Sequence, residues 1–287
     1  MMEGKMKTLA MLSLALFASI LISACGNGSI SNQSGLNGDF LSGRLIITGS
    51  STIAPLATEI ARQFELLHPN SKVDVQTGGS SRGISDVRRG IVNIGMVSRK
   101  LRDKESDLTS HLLAKDGVSI VTHKDNPVIE LNEEQIRKIY QGKITNWSEL
   151  GQKAMPISVI NKAEGRSTLE VFLKYFGLKN SEIKADTVIG DNQQAIKLVE
   201  RNPGAIAYVS IGTAEYDINN GSPIKTLPLK GIEASTVNLQ NNTFPISREL
   251  NLITIDKTNP LGEAFITYAK SKDTHPLIEQ FGFVAIE

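Results

Sequence analysis

Three short polar loops have the composition of an anion-binding site. They cover residues 49–52, 78–81 and 164–168, and each lies between an apolar run and a helical pattern. A helix N-terminus leaves its first backbone N–H groups unpaired and carries a partial positive charge, so it attracts anions. Glycine lets the backbone approach a ligand closely, and hydroxyl groups add hydrogen-bond donors. The three loops together predict a site for an oxyanion.

Helix capping is the alternative explanation for any one of these loops, because serine and threonine are common N-cap residues. The recurrence of three glycine-containing loops, two of them accompanied by arginine, favours the anion site. Arg99 and Arg166 are candidates to supply full positive charge, and Lys162 or Arg82 are candidates to add to it. Guanidinium groups suit this role because they bind oxyanions in a bidentate manner.

Length, charge and cysteine content exclude several classes of protein. The chain has 287 residues, with 31 Lys+Arg, 30 Asp+Glu and one cysteine. This length allows one large domain or two of ordinary size. The near-zero net charge argues against binding nucleic acid by bulk charge, since that requires a basic face. A single cysteine excludes an internal disulfide and a thiol-rich zinc or iron–sulfur site. We expect neither a metal nor a cofactor.

The N-terminus has the pattern of a lipoprotein precursor. Lys5 and Lys7 precede an apolar run over residues 9–22, which is shorter than the about 20 residues of a membrane span but fits a signal-peptide core. The run ends in ISAC, which resembles the lipobox of bacterial lipoproteins. Residues 1–24 would then be cleaved, and Cys25 would carry lipid such as palmitate. A buried, inert cysteine is the alternative.

The next segment, residues 25–43, is predicted to be a flexible, lipid-linked tether. It is rich in Gly, Ser and Asn and has too few apolar residues to order itself by burial. Loss of the leader would remove Lys5, Lys7 and Glu3, which leaves equal numbers of basic and acidic residues. Any positive field at the predicted site must therefore be local.

From Arg44 onward, apolar runs alternate with helical patterns. The predicted strands are residues 45–48, 73–77, 92–97, 118–122, 157–160, 205–209 and 252–255. The predicted helices are residues 54–67, 133–141, 147–150, 193–200, 262–272 and 276–281, with two more after the loops at 78–81 and 164–168. The alternation predicts an α/β fold with a mostly parallel sheet and helices on both faces. In such a sheet the three loops meet at the carboxyl ends of the strands.

One long run is similar to a known family. The segment ITGSSTIAPLATEIARQFELLHPNSKVDVQTGGSSRGISDVRRGIVNIGMVSRKL resembles the N-terminal signature of PstS-like phosphate-binding lipoproteins, the substrate-binding components of bacterial phosphate ABC transporters. Later segments that resemble the same family are QIRKIYQGKITNW, NKAEGRSTLEVF, NPGAIAYVS, PISRELNLIT and IEQFGFVAI. The resemblance therefore extends from about Arg44 to the C-terminus.

The resemblance implies a two-lobed periplasmic-binding-protein fold of type II. Each lobe would contain a mixed, mostly parallel sheet flanked by helices, and the chain would cross between the lobes at two hinges. By this likeness the hinges fall near residues 122–125 and 245–251. Lobe I would then comprise residues 44–122 and 251–287, and lobe II residues 123–250.

The resemblance also implies which residues bind the ligand. Thr52 and the backbone of Ile53 match the first motif, and Ser80 matches the second. Thr168 and the backbone of Ser167 match the third. The full set of predicted ligand-binding residues is Ser51, Thr52, Ile53, Ser80, Ser81, Arg99, Arg166, Ser167 and Thr168, with Lys162 and Glu164 as further candidates.

Besides Arg99, three positions depart from the family pattern. Lys162 stands where an Arg is usual, Arg166 where a Ser is usual, and Asn93 in a strand that more often reads Asp-Ile-Gly. The first two departures leave two basic side chains beside the third loop. They predict a ligand site with extra positive charge.

The position after Ser98 bears on which anion is bound. Long-chain family members have an Asp there that accepts the proton of hydrogen phosphate, and this chain has Arg99. A carboxylate acceptor discriminates phosphate from sulfate, which carries no proton. Glu164 and Asp86 are the nearby acidic candidates, with a solvated surface charge as the alternative for both. We predict phosphate as the ligand, and another tetrahedral oxyanion such as sulfate or molybdate as the alternative.

An enzyme is a weaker interpretation of the second loop. Residues 79–83 match G-x-S-x-G, the nucleophile elbow of α/β-hydrolases, with Ser81 as the nucleophile. Such chemistry needs a histidine base and an acid later in the chain, and among four histidines only His275 suits that order. No HG motif for an oxyanion hole precedes the elbow. We therefore predict a binding protein and not an enzyme.

The resemblance implies the partners and the location. The partners would be phosphate or a similar oxyanion and the permease subunits of an ABC importer, with no nucleic acid. The protein would be a monomer in the cell envelope, held to a bacterial membrane by its lipid and facing the periplasm or the exterior. A surface lipoprotein with a sensing or adhesive role is the alternative, since fold does not decide use.

Overall fold

The computed structural model describes residues 41–256 and 258–286. The predicted signal peptide at residues 1–24, the predicted lipidation site Cys25 and all but the last three residues of the predicted tether lie outside the described residues. Within the described ranges, the helices are too short or too polar to cross a membrane.

The described residues contain ten strands in one mixed sheet. Their bounds are β1 Gly43–Gly49, β2 Ser71–Thr77, β3 Ile94–Val97, β4 Thr109–His123, β5 Ser158–Lys162, β6 Thr187–Ile189, β7 Ala205–Ser210, β8 Ile224–Leu227, β9 Ser247–Thr254 and β10 Val284–Ala285. The strand order is β2-β1-β3-β9-β4-β7-β5-β6, and β8 and β10 pair with β4 outside this path.

Nine α-helices flank the sheet in the described part of the chain. Their bounds are α1 Ala54–Leu67, α2 Ser80–Arg88, α3 Glu133–Tyr140, α4 Ser167–Phe176, α5 Asn192–Arg201, α6 Ile211–Asn219, α7 Thr236–Gln240, α8 Pro260–Ala269 and α9 His275–Gln280. Residues Trp147–Leu150 form a short 3-10 helix. The bounds of α1 confirm the predicted helix, because Leu56, Ile60 and Phe64 form the buried face that its periodicity indicated.

The fold is α/β and its sheet is mixed. More of the strand pairs are antiparallel than the alternation of strands and helices predicts. Four described strand pairs are parallel and lie towards the two ends, and five are antiparallel and involve β3, β4 and β9. The cause is β4, which runs for 15 residues. The sequence predicts only residues 118–122 of it, because Lys115 and Asp116 interrupt the apolar pattern. The more polar first part of β4 is held in the sheet by its hydrogen bonds to β9.

The buried apolar side chains form separate clusters along the sheet. The clusters around β1, β3, α1 and α8 include Ala114 and Leu250, whereas those around β7, α4 and α5 include Val118 and Ile246. The chain thus passes from one core to the other at residues 115–117 and again at 247–249. The first passage precedes the predicted hinge at 122–125, and the second lies within the predicted hinge at 245–251. The division into lobes stays a prediction.

Candidate functional site

Each of the first two predicted loops contains a glycine whose backbone is closely packed. Gly49 ends β1 with a φ of 135°, and a Cβ there would overlap the carbonyl oxygen of Met96. Gly79 precedes α2 with a φ of 94°, and its Cβ would lie 2.8 Å from the carbonyl oxygen of Gly165 in the third loop. No L-residue fits either position without moving its neighbour. The glycines therefore allow the loops to approach one another.

A small cavity lies where the three loops meet. Its lining residues are Ser50, Ser51, Thr52, Gly79, Ser80, Ser98, Lys162, Arg166, Ser167, Thr168 and Gly190. Seven of the eleven predicted ligand-binding residues are in this set. The structure thus brings together Ser51, Thr52, Ser80, Lys162, Arg166, Ser167 and Thr168. These residues come from the ends of β1 and β5 and the first turns of α2 and α4.

Side-chain capping accounts for part of the first loop, where Ser50 Oγ accepts from the N–H groups of Thr52 and Ile53 at 3.2 and 3.4 Å, but not for the other two loops. The N-cap residues of α1, α2 and α4 are Ile53, Gly79 and Arg166, and none of them makes a side-chain capping hydrogen bond. By contrast, Asn132 and Asp191 cap α3 and α5 through their side chains. The three helix N-termini at the cavity therefore present a partial positive charge to it.

Two of the predicted residues lie beside the cavity but do not line it. The Ile53 N–H donates to Ser50 Oγ at 3.4 Å, and its side chain is buried in the core. Ser81 is exposed, and its N–H donates to the carbonyl oxygen of Gly165 at 3.2 Å. The Ile53 bond lies within the first loop, whereas the Ser81 bond joins the second loop to the third.

Arg99 and Glu164 are also away from the cavity. The Arg99 guanidinium is occupied by two carboxylates, with Nη1 and Nη2 on Glu105 at 2.7 and 2.9 Å and Nε on Glu170 at 2.5 Å. Glu164 is exposed and accepts a hydrogen bond from Asn180 Nδ2 at 2.9 Å. Arg99, predicted to bind the ligand, is therefore part of an ion-pair cluster. Glu164 is a solvated surface charge, which was the alternative to a role as proton acceptor.

A different arginine lies directly behind the cavity. Arg248 of β9 is buried and donates through Nη1 to Thr168 Oγ1 at 2.9 Å and through Nη2 to Thr52 Oγ1 at 3.2 Å. Its Nη1 is also 3.5 Å from Ser98 Oγ. Asp116 of β4 accepts from Nε and Nη2 at 2.9 and 2.7 Å. The Arg248–Asp116 ion pair therefore holds the hydroxyl groups of Thr52 and Thr168, which belong to different loops.

Lys162 supplies a cation inside the cavity wall. Its Nζ donates to the carbonyl oxygen of Asp191 at 3.0 Å, and the side chain is buried. The pKa of Lys162 is lowered to about 7, chiefly by burial and also by the positive charges of Arg248 and Arg166, while Asp191 acts in the opposite direction. An anion in the cavity would favour the charged form of this lysine.

Two lining groups have hydrogen-bonding capacity to spare within the described residues. Ser167 Oγ is buried without a hydrogen-bond partner. Arg166 is partly buried, and its guanidinium lies against Gly79 and Gly190 with no ion pair to any described carboxylate. Buried polar groups are usually satisfied, so an unpartnered hydroxyl facing a cavity points to a ligand.

Sequence reasoning missed several residues of the site. Ser50, Gly79, Ser98 and Gly190 line the cavity beside the predicted residues. Arg248 falls in the segment PISRELNLIT, which carried part of the family resemblance, but no local spacing relates it to the three loops. Its partner Asp116 is 132 residues away. Ser50, Gly79 and Ser98 were detectable because they lie within or beside the quoted motifs, whereas Gly190 and Arg248 have no such neighbour among the three loops.

Known proteins that bind phosphate are similar to this chain over most of its length. A family profile described as PBP superfamily domain matches residues 35–273. The phosphate-binding protein PstS of Bacillus subtilis is 30% identical over 292 residues, which covers 98% of this chain and 95% of that one. The PstS of Staphylococcus haemolyticus is 27% identical, with coverage of 93% and 89%.

Two solved structures that are similar to this chain are also proteins of phosphate transport systems. A putative phosphate ABC transporter substrate-binding protein from Clostridium perfringens, with bound phosphate, has a TM-score of 0.79 and 28% identity. An ABC-type phosphate transport receptor from Vibrio cholerae has a TM-score of 0.67 and 28% identity. Each alignment covers 85% of this chain and 100% of the other. The chain therefore belongs to the PBP superfamily and, within it, to the family of PstS phosphate-binding proteins.

Proposed function

We propose that this protein binds inorganic phosphate between two lobes and delivers it to an ABC importer, without catalysing a reaction. The observation that carries the proposal is the cavity itself, in which the N-termini of three helices meet serine and threonine hydroxyls and two basic side chains. Such a site offers a tetrahedral anion hydrogen bonds from several directions.

The named relatives support phosphate as the ligand. The Bacillus subtilis protein is named for phosphate binding, and the Clostridium perfringens structure contains bound phosphate. In this chain the same anion would accept hydrogen bonds from Thr52, Ser80, Ser167 and Thr168 and face the charge of Lys162. Exclusion of water from the cavity would strengthen each charge-assisted bond.

The two cores support the proposal that the halves of the molecule move as lobes. From these cores we assign residues 44–114 and 250–287 to lobe I and residues 118–246 to lobe II, with the ligand between them, which places the first crossing at 115–117 instead of the predicted 122–125. Thr52 and Ser80 would then bind from lobe I, and Ser167 and Thr168 from lobe II. Closure over the anion would provide a shape that the permease of an importer distinguishes from the empty protein.

The N-terminal sequence supports a location in the cell envelope. We propose that Cys25 carries lipid after removal of residues 1–24, and that the monomeric protein is held to a bacterial membrane through the tether at 25–43. The binding domain would then face the periplasm or the exterior, where it meets its ligand.

A hydrolase fits the described residues less well. Ser81 is exposed and outside the cavity, and its hydroxyl makes no hydrogen bond to a histidine in the described ranges. His275 begins α9. Nucleophilic serines need a base within hydrogen-bond reach, so we propose that the protein has no esterase activity. Assay of ester hydrolysis by the wild type checks this directly.

The binding proposal is tested by titration calorimetry of the mature chain with phosphate. We expect a single site, and we expect Thr52→Val and Thr168→Val each to raise Kd by about tenfold, since each removes one hydrogen bond to a charged ligand. The control is Thr267→Val, an exposed threonine on α8 whose hydroxyl donates only within its own helix. Unchanged Kd values in both site variants would mean that the site has been misplaced.

A further inference from the structure

Glu170 of α4 belongs to an ion-pair cluster that spans the boundary between the two proposed lobes. Its Oε2 accepts from Arg99 Nε at 2.5 Å and lies 2.6 Å from Arg102 Nη2, and both arginines follow β3 in lobe I. We propose that these two ion pairs form a latch that holds the lobes closed, so that Glu170 determines how tightly phosphate is bound although it does not line the cavity. The inference rests on the proposed function, because it concerns closure over the same ligand.

The carboxylate of Glu170 has its described side-chain partners on the other lobe. Within the described residues, its hydrogen bonds and ion pairs go to Arg99 and Arg102 alone. Leu169 of the same helix belongs to the apolar core of lobe II, whereas Met96 of β3 belongs to that of lobe I. Separation of the lobes would therefore break both ion pairs and leave the carboxylate in water.

On lobe I, the arginines are held in place without Glu170. Arg99 donates through Nη1 and Nη2 to Glu105 at 2.7 and 2.9 Å, and through Nη1 to the carbonyl oxygen of Lys100 at 3.0 Å. Glu105 also accepts from the Arg102 N–H at 2.8 Å. Because all of these contacts lie within lobe I, they persist when the lobes separate. The lobe I half of the latch is thus pre-organised for the incoming carboxylate.

The latch lies next to ligand-site residues on both lobes. Arg99 directly follows Ser98, and Glu170 comes two residues after Thr168, while Ser98 and Thr168 line the cavity from opposite lobes. Arg248 Nη1 is 3.5 Å from Ser98 Oγ and 2.9 Å from Thr168 Oγ1. Thr168 and Glu170 are both in α4, which moves as a unit. The ion pairs therefore form in the same movement that brings Thr168 opposite Ser98.

The surroundings of the latch allow it to stabilise the closed form. The side chain of Glu170 is 20% exposed and that of Arg99 is 8% exposed, so water screens this pair less than it screens a surface ion pair. Two charge-assisted hydrogen-bond donors converge on one carboxylate oxygen. Since the ligand is bound by the closed form, any free energy that favours closure raises the observed affinity.

A direct electrostatic effect of Glu170 on the ligand would have the opposite sign. Its carboxylate is a negative charge close to an anion site, so its removal would by itself make phosphate bind more tightly. Loss of the latch would make phosphate bind more weakly. The sign of the change in Kd for Glu170→Gln therefore distinguishes the two effects.

The first experiment compares the wild type with Glu170→Gln by calorimetry with phosphate and by release of labelled phosphate after dilution. We expect Kd to rise by about tenfold, nearly all of it in the dissociation rate, because the ion pairs form after the ligand has entered. An unchanged or lower Kd would overturn the inference and leave the proposed function intact. Absence of binding by the wild type would instead contradict the proposed function.

The second experiment repeats both titrations at about 0.05 M and about 0.5 M salt. The side chain of Arg102 is 44% exposed, so salt ions reach the latch. We expect the ratio of the Glu170→Gln Kd to the wild-type Kd to fall from about tenfold to about threefold at the higher salt concentration. A structural disturbance of α4 would give a ratio that does not depend on salt, which would contradict the latch.

The matched control is Glu133→Gln. Glu133 is also an acidic residue in the first turn of a helix, and its side chain is 30% exposed. Its ion pairs with Lys230 and Arg137, at 3.1 and 3.9 Å, lie within lobe II. The phosphate Kd of this variant should stay within about twofold of the wild-type value. A rise as large as that of Glu170→Gln would show that the loss reports general damage and would overturn the assignment.

Thermal melts establish that each variant is folded. If Glu170→Gln does not fold, Arg102→Gln tests the same proposal, because it removes one of the two ion pairs through a half-exposed side chain. We expect its phosphate Kd to rise by about threefold, with the same decrease of the effect at high salt. A Kd equal to that of the wild type at both salt concentrations would overturn the inference.

Discussion

Arg99 and Arg248 are two buried arginines that differ in what their guanidinium groups contact. Arg99 follows β3 and binds Glu105 and Glu170 together with the carbonyl oxygen of Lys100, so every donor nitrogen is used within an ion-pair cluster. Arg248 uses one side of its guanidinium for Asp116 and the other for hydroxyls that line the cavity. Only the second arginine contacts the lining of the ligand site.

The difference shows that a charged residue need not belong to a binding site because its neighbour in the sequence does. Arg99 directly follows Ser98, which lines the cavity, and this position made it the obvious candidate. Two glutamates nearby turn it into the centre of a structural cluster that also includes Arg102, whose Nη2 is 2.6 Å from Glu170 Oε2. A buried cation forms ion pairs with the carboxylates that its neighbours provide, whether or not they belong to a ligand site.

The largest effect is expected for Arg248→Met. It leaves the Asp116 carboxylate buried without its partner, which should lower the free energy of unfolding by about 3–5 kcal/mol. It also removes the support of both threonines, so phosphate affinity should fall by more than about 100-fold. Urea unfolding and calorimetry measure the two quantities. Adding Asp116→Asn should restore part of the stability but not the affinity, and recovery of both would contradict the coupling to the site.

Arg99→Met tests whether the other buried arginine affects ligand binding. This change leaves Glu105 buried and unpaired, so we expect a loss of stability similar to that of Arg248→Met, about 3 kcal/mol. Phosphate affinity of the folded protein should change by less than about fivefold, because the guanidinium does not face the cavity. Arg44→Met is the control, since its ion pair with Asp74 is exposed and should contribute less than about 1 kcal/mol. An affinity loss equal to that of Arg248→Met would erase the distinction between the two arginines.

Lys162 makes binding depend on pH. Its pKa in the ligand-free protein is about 7, so it is charged below that pH and loses its proton above it. An anion raises this pKa, and binding above about pH 7 must therefore take up a proton, which weakens affinity by up to about tenfold per pH unit. In Lys162→Arg the charge persists. We expect the ratio of wild-type Kd to variant Kd for phosphate to rise with pH above about 7, whereas a flat ratio would contradict the role of Lys162.

The same group affects the stability of the ligand-free protein. The pKa of Lys162 is lowered in the folded state from 10.5, so between about pH 7 and that value the unfolded chain binds a proton that the folded chain does not. The free energy of unfolding should therefore rise with pH across this window relative to Lys162→Met. Equal slopes in the two proteins would show that the lysine titrates normally when folded.

The smallest effect distinguishes two adjacent serines. Ser80 lines the cavity and is buried, so Ser80→Ala should raise the phosphate Kd by about tenfold. Ser81 is exposed and outside the lining, so Ser81→Ala should change Kd by less than about twofold. Calorimetry on the pair tests whether the cavity, and not the motif alone, identifies the ligand contacts. The reverse order would place the anion on the other side of the loop.

Much of the fold was predictable because its signals are local. The bounds of α1 follow from one buried stripe, and the helix at 133–140 is capped by Asn132, which with Gln135 forms a capping box. Strand β8 and helix α7 were missed because they are short and have no distinct periodicity. Their positions depend on pairing with β4 and on packing against it.

The sequence by itself determined the family, the three polar loops and seven of the residues that line the cavity, since glycine, hydroxyl groups and helix starts lie close together along the chain. Only the tertiary structure decided which arginine supports the site. The antiparallel register of β4 and β9 places Asp116 directly opposite Arg248, and the burial of both leaves the remaining guanidinium donors facing Thr52 and Thr168. That pairing depends on strand register and dielectric environment, which no short segment of the sequence encodes.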